Sequence, residues 1–188
     1  MSTTAPWHRA DAAASEEARL VAEARSGDAS ARERLISRYL ADVYDVTLRV
    51  LGDRDLAQDA AQDAWVNALG ALGRFRGEAS FRTWVLRIAI NSARSLARRR
   101  GRRREVDLTS AEAVPGGDDP SSGARFSAES DRVADALAKL PEKQRLAVSL
   151  RIYQGLGYQE IAELTDSTEG SARVNYHLGI KRLREMLR

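Results

Sequence analysis

Across residues 80–96 the apolar side chains Phe81, Val85, Ile88 and Leu96, with the small Ser92, return every three or four positions. That spacing commits the segment to a helix with one face in a core. Ser80 is placed to cap it, because its hydroxyl can accept from an orphan helical N–H. The period-two alternation of a half-buried strand is absent from the chain, and each break in the helical pattern falls at a cap residue or a glycine. The same helix carries a second, polar stripe. Arg87, Asn91, Arg94 and Arg98 step by four, three and four, and lead into six arginines over 98–104, interrupted by Gly101. Arg makes bidentate contacts with phosphate or guanine, and Asn does so with adenine. Four such residues alone would serve equally well as a solvated face. Flanked by a loop bearing Phe75 and Phe81, and followed by the arginine run, they point to nucleic acid.

Composition narrows the alternatives. The 188 residues include no cysteine, which removes disulfides, thiol chemistry and thiolate metal sites. His8 and His177 are the only imidazoles and lie at opposite ends of the chain, so no metal site and no cofactor is expected. The opening MSTTAPWHRADAAAS lacks the apolar segment of a signal peptide, and no stretch reaches the ~20 apolar residues of a membrane span. A soluble, cytoplasmic protein is expected. The net charge is only +3, and Lys139, Lys143 and Lys181 are the only lysines. The positive charge is thus arginine gathered locally, which suits one anionic partner surface.

In chain order, residues 1–14 are Ala/Ser/Thr-rich without periodicity and are expected to be disordered. Ser15 can cap a helix over about 16–26, ended by Gly27. Asp28 can cap another over about 29–51, ended by Gly52. Its broad apolar stripe (Leu35, Ile36, Tyr39, Leu40, Val43, Tyr44, Val46, Thr47, Val50) places it deep in a bundle. Asp53 caps a third helix over about 54–72, with Ala61, Trp65, Ala68 and Leu72 inward. Its other side presents Asp55, Asp59, Gln62, Asp63 and Val66. Solubility explains such an acidic stripe slightly better than docking does, from spacing alone. Gly73 and Gly77 frame a loop before the arginine-bearing helix. Trp84 lies between that helix's two faces and is assigned to the core.

Residues 101–127, with Pro115, Gly116, Gly117, Pro120 and Gly123, read as a flexible linker that begins basic and turns acidic. Beyond it, Val133, Leu137 and Leu140 share one side of a short helix. Pro141 suits the first turn of the next, which carries Leu146, Val148, Leu150 and Ile152. Residues 157–187 read as helix, turn, helix. Ile161 and Leu164 point inward, Asp166 sits in the turn, and Ser167 caps a last helix over about 168–187. Ala172, Tyr176, Ile180, Leu183 and Leu187 form its inner face. Ser171, Arg173, Asn175 and His177 point elsewhere, near the end from which a recognition helix meets base edges. The expected fold is all-α: a helical domain over 15–100, a linker over 101–127, and a helix-turn-helix domain over 128–188.

Three stretches carry a resemblance. DRDLAQDAAQDAWV (53–66), FRGEASFRTWVLRIAINSAR (75–94) and LPEKQRLAVSLRIYQGLGYQEIAEL (140–164) together resemble the extracytoplasmic-function sigma factors, promoter-reading subunits of bacterial RNA polymerase. The likeness covers about 18–188. It implies a chain that binds core polymerase, recognises minus-ten and minus-thirty-five elements and promotes DNA opening. Asp55, Asp59, Gln62, Asp63 and Val66 would dock the clamp coiled coil, and the C-terminal domain would meet the flap. Arg76, Gly77, Ser80, Phe81, Arg87, Ile88, Ala89 and Asn91 would capture a flipped non-template base, with Arg94 and Arg98 on phosphates. The energy of unstacking that base, a few kcal/mol, would be offset by a pocket and by hydrogen bonds to its exposed edge. Ser171, Arg173, Asn175, Tyr176, His177 and Lys181 would face the minus-thirty-five element. The acidic linker would run toward the RNA path. An anti-sigma factor acting in trans is a further implied partner, since no inhibitory domain follows residue 188.

One stretch departs from the pattern. GSARVNYHLGIKR (170–182) has Val174, Asn175, Leu178 and Ile180 where Ser or Arg is common, so upstream binding is expected to be weaker or differently specified. Asn175 could compensate by pairing with adenine. No nucleophile–base pair, metal cluster or phosphate-cradling loop suggests an enzyme. A free-standing helix-turn-helix regulator would need neither the 75–104 stretch nor a docking face. A sigma-like decoy that binds only an antagonist should have lost its DNA-facing arginines.

Overall fold

Three caps place the first helices. The Asp28 carboxylate accepts from the Ala31 N–H at 2.8 Å, that of Asp53 from Leu56 at 3.0 Å, and the Ser80 hydroxyl from Thr83 at 3.0 Å. A computed structural model describes residues 6–109 and 128–188, with side chains described over 15–102 and 132–188. Its described residues form eight α-helices and one 3-10 turn, with no strand. They are α1 (Pro6–Arg25), α2 (Ala29–Leu51), α3 (Arg54–Ala71), α4 (Phe81–Thr109), α5 (Ala128–Ala138), α6 (Glu142–Ile152), α7 (Tyr158–Leu164) and α8 (Glu169–Met186), with the 3-10 turn Leu72–Arg74 after α3.

Helices α1 to α4 pack as a bundle around α2. Leu35, Val43, Val85, Leu86 and Ile90 are fully buried at its centre, beside the alanines of α3. Small residues on α3 let α2 and α4 approach closely. The Thr47 hydroxyl, buried between helices, donates to the Ala57 carbonyl at 2.9 Å. Gly52 ends α2 at φ 70°, a left-handed conformation that glycine adopts without steric cost.

The C-terminal helices form a second unit. Helix α7, the turn and α8 make the helix-turn-helix, with Asp166 at φ 50° in the turn. Gly179 of α8 sits against α6. A Cβ there would lie 2.6 Å from Val148 Cγ2 and 3.2 Å from the Gln144 carbonyl, so only glycine permits this approach.

The two units share a core. Leu146, Leu150 and Ile161 belong to the same apolar cluster as Leu35 and Leu86. Arg145 of α6 closes the seam at the C-terminus of α2. Its Nε donates to the Arg49 carbonyl at 2.6 Å and its Nη2 to the Val50 carbonyl at 3.2 Å. A cation at a helix C-terminus meets both the orphan carbonyls and the negative end of the dipole. Burial pushes the Arg145 pKa down, and Glu142 opposes that shift. The Arg49 guanidinium lies 3.9 Å from the centre of the Tyr153 ring.

Several boundaries differ from the sequence reading. Helix α1 starts at Pro6, so residues 6–14 are helical where disorder is expected; residues 1–5 lie outside the described residues. Proline suits a first helical position, and the alanine-rich segment after it has high helix propensity. Helix α4 runs on to Thr109 through the expected linker start, because arginines are good helix formers and one glycine costs only ~1 kcal/mol. The remainder of that linker, 110–127, lies outside the described residues. Thr168, not Ser167, caps α8, accepting from the Ser171 N–H at 3.2 Å. The Ser167 hydroxyl is instead 3.0 Å from that of Thr165. Leu40 and Ile152, assigned to apolar stripes, are 52% and 54% exposed. Among the described residues no helix is long and apolar enough to cross a membrane.

Candidate nucleic-acid interface

The loop after the 3-10 turn folds back over the first turns of α4. Phe75 and Phe81 anchor it from beneath, with ring centroids 5.8 Å apart, and Trp84 lies 5.1 Å from Phe75. Gly77, at φ 75°, makes the reversal. The Phe81 N–H, at the start of α4, is held by the Glu17 carboxylate of α1 at 3.2 Å. Glu17 also accepts from the Tyr39 hydroxyl, whose pKa is raised mainly by burial and further by that hydrogen bond and charge. The loop therefore rests on a fixed floor.

A cleft of about 330 Å³ opens between loop and helix, lined by 74–79 together with Thr83, Trp84 and Arg87. It has an aromatic wall, backbone polar groups at Gly77, and Arg74, Arg76 and Arg87 at the rim. That combination can hold a flat heterocycle and its phosphate. Arg76 is 83% exposed and lies 3.9 Å from Glu78.

Of the residues expected at the minus-ten surface, Arg76, Gly77, Ser80, Arg87, Asn91 and Arg98 are exposed. Ile88 is half-buried. Phe81 (3% exposed) and Ala89 (0%) are core residues, so their side chains do not face a base. In both, the helical period that marks the core outweighs the role implied by resemblance. Trp84, assigned to the core, is half-buried and lines the cleft. Thr83 and Arg74 also line it without having been singled out by the sequence. Aromatic and small polar residues beside a glycine loop were the available signal.

The arginine stripe of α4 faces the C-terminal unit. Arg87 Nη2 donates to the Glu163 carbonyl at 3.0 Å. Arg94 Nε donates to Glu142 at 2.8 Å, and its Nη1 lies 3.7 Å from Asp166. Arg82, which the sequence did not mark, donates from Nε to Asp42 at 2.7 Å and from Nη1 to the Gln154 carbonyl at 2.9 Å. Farther along, Arg99 pairs with Asp63 at 3.3 Å and Arg100 with Asp53 at 3.8 Å. Arg98 projects outward.

Along α3, Asp55, Asp59, Gln62, Asp63 and Val66 form one exposed strip, bordered by Arg99 through its pair with Asp63. Val66 is 66% exposed, an apolar residue in the middle of an acidic face. On α8, Arg173, His177 and Lys181 are exposed while Ser171, Asn175 and Tyr176 are half-buried. Tyr176 packs edge-on to Tyr158 at 5.8 Å, turned toward α7. The Asn175 amide donates to the Ser171 carbonyl at 2.9 Å, so its N–H is engaged within its own helix. Arg173 bonds to Glu169 at 2.9 Å.

Comparison with known proteins agrees with this layout. Residues 35–103 match the Sigma-70 region 2 family and residues 130–183 the Sigma-70 region 4 family. The RNA polymerase sigma-H factor of Pseudomonas aeruginosa is 34% identical over 163 residues, covering 82% of this chain and 84% of its own. The ECF RNA polymerase sigma-E factor of Haemophilus influenzae is 33% identical over 177 residues, 89% of this chain and 91% of its own. Among solved structures, CnrH in complex with the cytosolic domain of CnrY superimposes with a TM-score of 0.68 at 24% identity, over 91% of this chain and 96% of that one. The Bartonella quintana sigma factor RpoE in complex with the anti-sigma factor NepR gives 0.68 at 21% identity, over 82% and 95%. These two likenesses establish the fold.

Proposed function

The chain belongs to the extracytoplasmic-function sigma factors of bacterial RNA polymerase, and from that premise we propose how its surfaces divide the work of transcription initiation. The cleft between the 74–79 loop and α4 receives one base flipped from the non-template strand at the minus-ten element. The single observation that carries this is the cleft itself: aromatic-floored, arginine-rimmed and reached by a glycine at positive φ. Backbone approach and a π-face suit a base drawn out of the stack, whose unstacking costs a few kcal/mol. Asn91 and Arg98 track the strand beyond it, and Arg87 and Arg94 join them when released from the C-terminal unit.

The α3 strip docks core polymerase. Asp55, Asp59 and Asp63 supply charge complementary to a basic partner, and exposed Val66 supplies an apolar anchor of the kind that carries interface energy. Helix α8 reads the minus-thirty-five element. The chain itself supplies recognition rather than catalysis, working in the cytoplasm where polymerase is found. Two structurally similar proteins were captured with bound protein partners: CnrH with the cytosolic domain of CnrY, and the sigma factor RpoE with the anti-sigma factor NepR. On that basis this chain is also held in trans by such a partner.

Run-off transcription with core polymerase on fragmented genomic DNA tests the assignment. Discrete starts sharing two spaced upstream elements are expected. Stable core binding without initiation would overturn the promoter-reading role, and absence of core binding would overturn the docking role as well.

A further inference from the structure

We propose that Val174 and Leu178 of α8 read thymine, through its C5-methyl group, in the minus-thirty-five element. This rests on the assignment of α8 as the recognition helix. At ~100° per residue, a helix whose buried side is marked by Ala172, Gly179 and Leu183 turns positions 174, 178 and 181 directly outward. Val174 is 57% exposed and Leu178 44%, one turn apart on the same stripe. A lone exposed apolar residue calls for no explanation. Two at the centre of the stripe that meets base edges do call for one.

The surroundings identify the occupant. Exposed Arg173, His177 and Lys181 flank the pair, and Arg173 is steadied by Glu169 at 2.9 Å and by the Tyr158 ring at 5.2 Å. An apolar pair set beside the cations Arg173 and Lys181 is complementary to a polyanion that displays small apolar groups between its phosphates. In the major groove only thymine presents a methyl group, beside its O4 acceptor, while the other bases present donors or acceptors without one. A donor or acceptor edge packed against Val174 or Leu178 would lose its water without gaining a hydrogen bond, which penalises the wrong base. The amide of Asn175 points its Nδ2 back to the Ser171 carbonyl at 2.9 Å and hydroxyl at 3.4 Å, which takes its donor away from the bidentate pairing that reads adenine. At the base steps facing positions 174 and 178, the side chains presented are the apolar pair. The upstream element is therefore expected to contain thymines one helical turn of α8 apart, on either strand.

The test uses holoenzyme and a promoter mapped by run-off transcription. Each thymine of the minus-thirty-five element is replaced in turn by deoxyuridine, which removes the methyl and leaves pairing intact. At one or two positions affinity should fall about fourfold, the change expected from one apolar contact of methyl size. Val174→Ala or Leu178→Ala holoenzyme should bind the thymine and deoxyuridine promoters nearly equally at the corresponding position. Both substitutions lie on an exposed helix face, and an unchanged circular-dichroism melt confirms folding. Indifference to deoxyuridine at every thymine, or a penalty that persists in both variants, overturns the proposal while leaving initiation intact. If the variants discriminate normally but lose core binding, the pair is a protein contact and the proposal falls. Failure to initiate on any promoter would overturn the parent assignment first.

Discussion

Arg94 reaches two carboxylates of the C-terminal unit at once, with Nε 2.8 Å from Glu142 and Nη1 3.7 Å from Asp166. The same guanidinium stands on the stripe proposed to hold promoter phosphates, beside Arg87, which donates to the Glu163 carbonyl. Protein and DNA would therefore use one set of donors.

Removing the competing acids should strengthen DNA binding. Glu142→Gln with Asp166→Asn frees Arg94 while keeping a residue that tolerates the turn's φ of 50°. Partly exposed pairs are each worth about 0.2–1 kcal/mol, so a roughly two- to thirtyfold gain in affinity for a single-stranded minus-ten oligonucleotide is expected from the double variant. Fluorescence anisotropy measures it. The gain should be absent in an Arg94→Ala background, because the acids then have nothing to withhold.

Arg145→Ala should loosen the seam. It removes charge-assisted hydrogen bonds to the Arg49 and Val50 carbonyls near the C-terminus of α2, while the Gly52 cap stays in place. A loss on the order of 2 kcal/mol in thermal denaturation is expected, with a larger radius of gyration in small-angle scattering. A lower melting temperature at unchanged radius would mean that the shared apolar core alone holds the units together.

Gly179→Ala tests the contact of α8 with α6. Alanine gains ~1 kcal/mol in helix propensity over glycine. Its Cβ would nevertheless sit 2.6 Å from Val148 Cγ2 and 3.2 Å from a backbone carbonyl. Overpacking of this kind costs about 1–3 kcal/mol, so net destabilisation of the C-terminal unit is expected. Val148→Ala in the same chain should recover part of it.

Asp45 gives a pH signature. Burial raises its carboxyl pKa, nearby Asp42 adds to the shift and Arg49 opposes it. The folded state thus holds this proton more tightly than the unfolded chain. The associated stabilisation is present in full below the unfolded value of about 4 and is lost as pH rises through the folded value. Asp45→Asn should therefore raise the melting temperature slightly at pH 7, and the difference from the parent should close at acidic pH. The group is partly solvated, which keeps the effect small.

Local features were legible in the sequence. Asp28, Asp53 and Ser80 cap the helices they precede, Gly52 and Asp166 take left-handed conformations, and Leu35, Val43, Val85, Ile161 and Leu164 are core. Each depends on neighbours within a turn or two of chain. The α3 strip and the exposed arginines of α4 followed from the same periodicity. What the sequence concealed depends on distant partners. Arg82 and Arg145 looked like any surface arginine, and their bonds to Gln154 and Val50 span large separations with no periodic trace. Phe81 and Ala89 were assigned to the DNA surface by family resemblance, yet the helical phase that places Val85 inward, and that already put Phe81 on the core stripe, carries both inward. Competition between propensity and composition explains the ends of α1 and α4.

Helix α4 is also a ruler. It is unbroken from Phe81 to Thr109, so the cleft at Thr83 and the arginine at position 98 are joined by rigid rod. Their fifteen-residue separation corresponds to roughly 22 Å at 1.5 Å per residue. At the ~3.4 Å axial phosphate spacing of a duplex strand, taken as a guide for the opened strand, the rod would span roughly six nucleotides from the base proposed to enter the cleft. Deleting one residue between the two points would shorten it by only ~1.5 Å but swing the arginines by ~100°, off the strand altogether. On the proposed reading, the pitch of one helix sets the length of the minus-ten contact.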